Sequence, residues 1–148
     1  MTMIPPTVDG NRIALGVRQP WVELILRGEK WLEVRSQPVS LRGRIYLYAS
    51  RRYSDHPAAT KVLDRLRDER VTCDLGLLLG SVELTDCRRA TRMDAAGACI
   101  PEAALEGQYV WRLERPERFE APVEVAYQPY GVWFYPFQRK RDGKRSGA

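Results

Sequence analysis

Lys30 and Glu33 stand three residues apart in a stretch where a short helix gives way to a strand. An amine and a carboxylate at that spacing can exchange a proton or orient one another. The chain has only 4 lysines against 20 arginines, so lysine is not its default cation. Lysine differs from arginine in that its amine titrates and its pKa falls on burial, which suits a base or a nucleophile. As an ordinary surface residue, Lys30 would simply favour the C-terminal end of the preceding helix. Arg35 shares a strand face with Glu33. The pair reads either as a surface ion pair of little energetic weight or as a phosphate-holding guanidinium beside the carboxylate that orients it.

A second constellation lies at 42–52. Residues 34–54 contain no acid and five arginines, Arg35, Arg42, Arg44, Arg51 and Arg52. The two-residue period of a strand sorts this stretch. Ile45, Leu47 and Ala49 fall on one face; Arg44, Tyr46, Tyr48, Ser50 and Arg52 fall on the other. Guanidinium groups bind phosphate as forks, and tyrosine planes stack bases at ~1–3 kcal/mol each. The second face therefore reads as a surface for single-stranded RNA. The competing reading packs Tyr46 and Tyr48 beneath a helix at the rim. Trp21 and Trp111 are candidate cleft walls, and Trp133 a plug.

The composition bounds these readings. A chain of 148 residues with 44% hydrophobic and 29% charged residues fits one globular domain. Its net charge of +5 is concentrated in Gln138–Ala148, where five basic residues face one acid. No apolar run approaches the ~18–20 residues of a membrane span, and the start lacks the pattern of a signal peptide. A soluble cytoplasmic protein is expected. The three cysteines and one histidine have no metal-ligand spacing, so neither metal, disulfide framework nor cofactor is predicted. No glycine-rich phosphate loop of the dinucleotide or P-loop type is present.

The elements follow from periodicity and punctuation. Strands are expected over Arg12–Val17, Trp31–Arg35, Arg42–Arg52, Leu75–Cys87, Gln108–Leu113, Pro122–Ala126 and Gly131–Tyr135. A first helix opens at Pro20 and stops at Gly28. A second covers about Pro57–Arg70, capped by Ser54 or Asp55. Arg88–Glu106 holds one or two short turns. The expected architecture is α+β: a small mixed β-barrel over residues 11–137 with two main helices at its rim. Residues 1–10 and 138–148 read as flexible ends.

The ordered set of motifs resembles the ASCH superfamily, whose fold is like that of the PUA RNA-binding domain. The resemblance is carried by Gln19-Pro20-Trp21, Gly28-Glu29-Lys30 leading into Glu33-Val34-Arg35, and Arg42-Gly43-Arg44 followed by Tyr48-Ala49-Ser50-Arg51. Further along come Gly80-Ser81-Val82-Glu83-Leu84-Thr85-Asp86-Cys87, Tyr109-Val110-Trp111-Arg112-Leu113 and Tyr130-Gly131-Val132-Trp133. It implies a PUA-like barrel that binds RNA or a nucleotide in a cleft beside the sheet. The candidate binding residues are Trp21, Lys30, Arg35, Arg44, Tyr48, Ser50, Arg51 and Arg52, and the family pattern makes Glu83 a candidate partner for Lys30 or Arg35. The alternative is a metal-independent hydrolase acting on a modified nucleoside of the N(4)-acetylcytidine type or on RNA, with Lys30 as base or nucleophile and Glu33 beside it. The family's amidohydrolase branch uses a Lys, a Thr three residues later and a Glu. Here Glu33 stands at the threonine position, and the acid would fall in Arg88–Glu106, which matches no family pattern. A third reading is a protein-interaction adaptor with the basic tail as its docking segment.

Overall fold

The computed structural model describes residues 8–139. The expectations for 1–7 and for the basic tail from 140 onward lie outside the described residues. Six strands form one mixed sheet: β1 (Ala14–Gln19), β2 (Leu32–Arg35), β3 (Gly43–Tyr53), β4 (Leu77–Arg89), β5 (Tyr109–Val123) and β6 (Trp133–Phe134). Their order is β2-β5-β4-β3-β1-β6. Only β1 and β3 run parallel; the other pairings are antiparallel. The sheet curls into a half-barrel, which is the small α+β PUA-like form expected. Three helices accompany it: α1 (Trp21–Leu26), α2 (Pro57–Asp68) and α3 (Ala95–Ala98), the last flanked by 3₁₀ turns at Arg92–Asp94 and Glu102–Leu105. Among the described residues no helix is long and apolar enough to cross a membrane.

The curl has a local cause. Between β4 and β5 the register shifts three times, at 78–80, 81–83 and 84–86. Each irregularity bends the ribbon and raises its twist. The sequence pattern expects two separate strands here, at 108–113 and 122–126, with Pro116 between them and Pro122 opening the second. One strand, β5, runs through both prolines. It can do so because β2 pairs only with Tyr109–Arg112. Beyond that point no strand among the described residues lies on the second edge of β5, and a proline whose nitrogen faces an open edge breaks no ladder.

All six residues of helix α1 are buried, and it packs with Leu15, Val17, Ile45, Leu47, Val82 and Leu84 in the main core. Gln19 caps it, its Oε1 accepting from Glu23 N at 3.0 Å. Glu23 is held by Arg118 of β5 through a two-pronged ion pair. Helix α2 is capped by His56, not by Ser54 or Asp55: Nδ1 accepts from Ala58 N at 3.0 Å, and Ser54 Oγ accepts from His56 N in turn.

The middle of β3 is covered on both sides. Ile45, Leu47 and Ala49 enter the main core; Tyr46 and Tyr48 enter a second one with Val8, Leu78, Val123, Val125 and Phe134. Tyr46 meets Phe119 edge-on at 5.6 Å, and Tyr48 meets Phe134 edge-on at 5.1 Å. The tyrosines thus pack under chain from the C-terminal part of the domain, not under a rim helix. Neither ring presents a stacking plane, which corrects the expectation of an exposed Arg/Tyr face.

A basic cavity built around a buried lysine

One cavity of about 820 Å³ opens beside the sheet. Its walls come from β1 (Gly16, Arg18), α1 (Trp21), Lys30, β2 (Glu33–Arg35), the end of β3 (Tyr48, Ser50–Arg52), the approach to α2 (Ser54, His56) and the loop carrying Gln128, Pro129, Gly131 and Val132. Ile100, Ala104 and Gln108 complete it.

Lys30 arrives here because α1 ends in a tight turn. Gly28 adopts φ +79, a left-handed conformation that glycine takes without strain. Lys30 N then donates back to Leu24 O at 3.1 Å. The side chain is 3% exposed. Its Nζ donates to Ala98 O at 2.7 Å, lies 3.7 Å from Glu33 Oε1 and sits 5.2 Å from the Trp21 ring centroid. At 3.7 Å the contact with Glu33 is an ion pair, too long for a hydrogen bond. Burial pushes the amine below the ordinary lysine pKa, against the opposing pull of the Glu33 carboxylate.

Glu33 is fixed from its other oxygen. Arg35 Nε and Nη2 both donate to Oε2, at 3.0 and 2.7 Å, and Nη2 also donates to Gly16 O at 3.0 Å. The guanidinium lies 5.5 Å from the centroid of Trp111, which stacks on Trp133 at 5.9 Å. Trp111 therefore backs Arg35 and does not line the cavity, and Trp133 supports Trp111 instead of plugging a barrel. Glu33 is the only carboxylate lining the cavity among the described residues.

The structure brings Trp21, Lys30, Glu33, Arg35, Tyr48, Ser50, Arg51 and Arg52 to one cavity. It does not bring Arg44. That side chain donates to Ser81 Oγ and Arg115 O, both at 3.0 Å, and pairs with Glu83 at 3.3 Å. Glu83 in turn holds Arg44 and Arg115, not Lys30 or Arg35. Arg18, Ser54, His56 and Gln128 were not singled out from the sequence. Arg18 had a signal, because it alternates with Leu15 and Val17 on β1. Gln128 lies in an aperiodic loop and had none.

The Arg88–Glu106 segment folds over Lys30 through Ala98 but supplies no acid to the cavity. Its buried acid, Asp94, accepts a fork from Arg88 and a bond from Thr91 N. Those contacts hold its pKa down at about 2. Among the described residues no cluster of three or more His, Cys, Asp or Glu side chains has the arrangement to hold a metal ion.

A curled mixed sheet with one deep, basic, partly aromatic cavity at its side defines a PUA-like pocket domain. The chain belongs to the ASCH domain family, whose sequence model matches residues 15–130. Solved structures of the ASCH protein of Zymomonas mobilis are similar in fold. The unsubstituted form is 16% identical, covers 89% of this chain and 90% of its own, and superposes with a TM-score of 0.57. A Tyr-to-Phe variant of the same protein is 15% identical, with 88% and 91% covered and a TM-score of 0.56. A comparison with curated proteins by sequence found no match.

Proposed function

We propose that the cavity binds one nucleotide unit, either free or within single-stranded RNA. The observation that carries this reading is the composition of the walls: about 820 Å³ of space, the indole of Trp21, and Arg18, Arg51 and Arg52 facing it. That volume lies in the range of small-ligand sites, and the basic excess matches a phosphate-bearing ligand. Membership of a family whose domains are generally RNA-binding-like supports it. The test is titration of the protein with single-stranded RNA, duplex RNA and mononucleotides. Single-stranded RNA or mononucleotides bind and Arg52→Ala weakens them; absence of binding at millimolar ligand sinks the reading.

The Lys30–Glu33 pair favours a second reading, hydrolysis without metal. The free amine of Lys30 takes a proton from water, the hydroxide adds to an amide carbon, and the departing amine collects a proton as the carbon–nitrogen bond breaks. Alternatively, the free amine itself adds to the amide carbon, the amide carbon–nitrogen bond breaks as the departing amine takes the proton that the lysine nitrogen loses, and water then hydrolyses the acyl-lysine to carboxylate and free amine. In this reading Glu33 tunes and orients the amine. Incubation with acetylated cytidine or short RNA in the presence of chelator tests it. Turnover must disappear in Lys30→Ala; turnover that survives the substitution belongs to a contaminant.

A further inference from the structure

The charges around the cavity are unevenly compensated. Five basic side chains, Arg18, Lys30, Arg35, Arg51 and Arg52, line it against one carboxylate. That carboxylate, Glu33, is already engaged by Lys30 and Arg35. Arg18 faces the exposed Asp55 at 3.9 Å. Arg51 and Arg52 have no carboxylate partner among the described residues. Arg51 is steadied by a neutral acceptor instead, its Nη2 donating to Gln128 Oε1 at 2.6 Å, and its Nε has no acceptor there.

A second observation points to the same wall. Tyr48 is 2% exposed, and its hydroxyl is buried without any hydrogen-bond partner. Orphaned buried hydroxyls are uncommon in folded proteins. This one lies near Arg51: a Cβ built on Gly76 would meet both Tyr48 Oη and Arg51 Nε at an ordinary contact distance of 3.8 Å. Two unused donors therefore lie close to the same glycine. Ser50 and Ser54 line the same cavity, adding hydroxyls, and so does His56, which caps the twelve-residue helix α2.

We propose that Tyr48, Arg51 and Arg52 form a subsite for a terminal phosphate. The inference rests on the pocket reading above and narrows it: the ligand is a phosphorylated nucleotide or the phosphorylated end of an RNA strand, not a bare nucleoside. A phosphomonoester carries close to two negative charges at neutral pH, whereas an internal phosphodiester carries one. Two guanidinium groups without carboxylates match the former. Arginine also presents the planar fork that phosphate oxygens accept in pairs.

Calorimetric titration at pH 7.5 and fixed salt tests this. A nucleoside is compared with its 5′- and 3′-monophosphates, and a short single-stranded RNA is compared with and without a terminal phosphate. In the unsubstituted protein the phosphate tightens binding at least tenfold at one of the two ends. Arg51→Gln with Arg52→Gln brings that ratio to about one. Tyr48→Phe keeps the packed ring and reduces the ratio severalfold. A gain for mononucleotides alone identifies a free nucleotide as ligand; a gain for both identifies an RNA terminus. Equal affinity with and without phosphate, or a gain that survives the double substitution, overturns the subsite and leaves the pocket reading standing. If no nucleoside, nucleotide or RNA binds, both fall.

Discussion

Lys30 is where the binding and hydrolytic readings make different demands. As a binding group its charge is useful; as a base it must be free of its proton. Desolvation lowers its pKa, and Glu33 at 3.7 Å partly restores it. If Lys30 is the base, the rate rises with pH as the amine deprotonates and levels off above its lowered pKa. Glu33→Gln removes the group that raises that pKa, so the rising limb moves to lower pH. A pH–rate profile of the two proteins checks this, and an unmoved limb removes Lys30 from the role of base. The same substitution leaves Arg35 without its carboxylate inside the wall. The pair itself was legible in the sequence, because the i, i+3 spacing across a helix–strand junction survives folding. Tyr48 was not. Parity assigns residues to faces, but it does not reveal that both faces of β3 are covered. The ring became core, and the residue still borders the cavity.

At the scale of elements, alternation located every strand from β1 to β5, while the full length of β5 escaped it. The expected strands at 108–113 and 122–126 join in one element, because periodicity carries no information about how far a ladder continues between two patterned stretches. Glycine 80 shows how tightly the shifted ladder is packed. A Cβ there would lie 2.3 Å from Glu117 O, 2.7 Å from Leu26 Cδ2 and 3.1 Å from Arg118 Cα. Two of those neighbours are backbone, and the register on either side is already displaced. Gly80→Ala is therefore expected to destabilise the fold by about 2–3 kcal/mol, as overpacking does. Urea unfolding should show a lower midpoint at an unchanged slope. A midpoint within error of the parent would show that the β4–β5 bulge can relax. The position also bears on the site, because Arg118 Cα is one of the atoms displaced and its side chain anchors Glu23 of α1, next to Trp21.

For the whole molecule, the net charge of +5 misstates where cations are available. The acid-free run 34–54 falls into two groups in three dimensions. Arg44 is neutralised by Glu83, which also holds Arg115, on a part of the sheet that does not line the cavity. Arg51 and Arg52 face the cavity without a carboxylate partner among the described residues. Linear sequence cannot make this separation, since the partner of Arg44 comes from β4, 39 residues away. RNA binding reads the difference directly. For single strands, each phosphate neutralised contributes about 0.7 to the slope of log affinity against log salt. Arg52→Ala should weaken binding and flatten that slope by about that amount. Arg44→Ala should leave both unchanged, because the group it removes already has a protein partner. The two titrations share a substitution type and a strand, so a non-specific loss of positive charge would move them equally. Equal effects would mean that RNA follows the outer sheet and not the cavity. A slope altered only by Arg52→Ala would place the backbone of the bound strand at the end of β3.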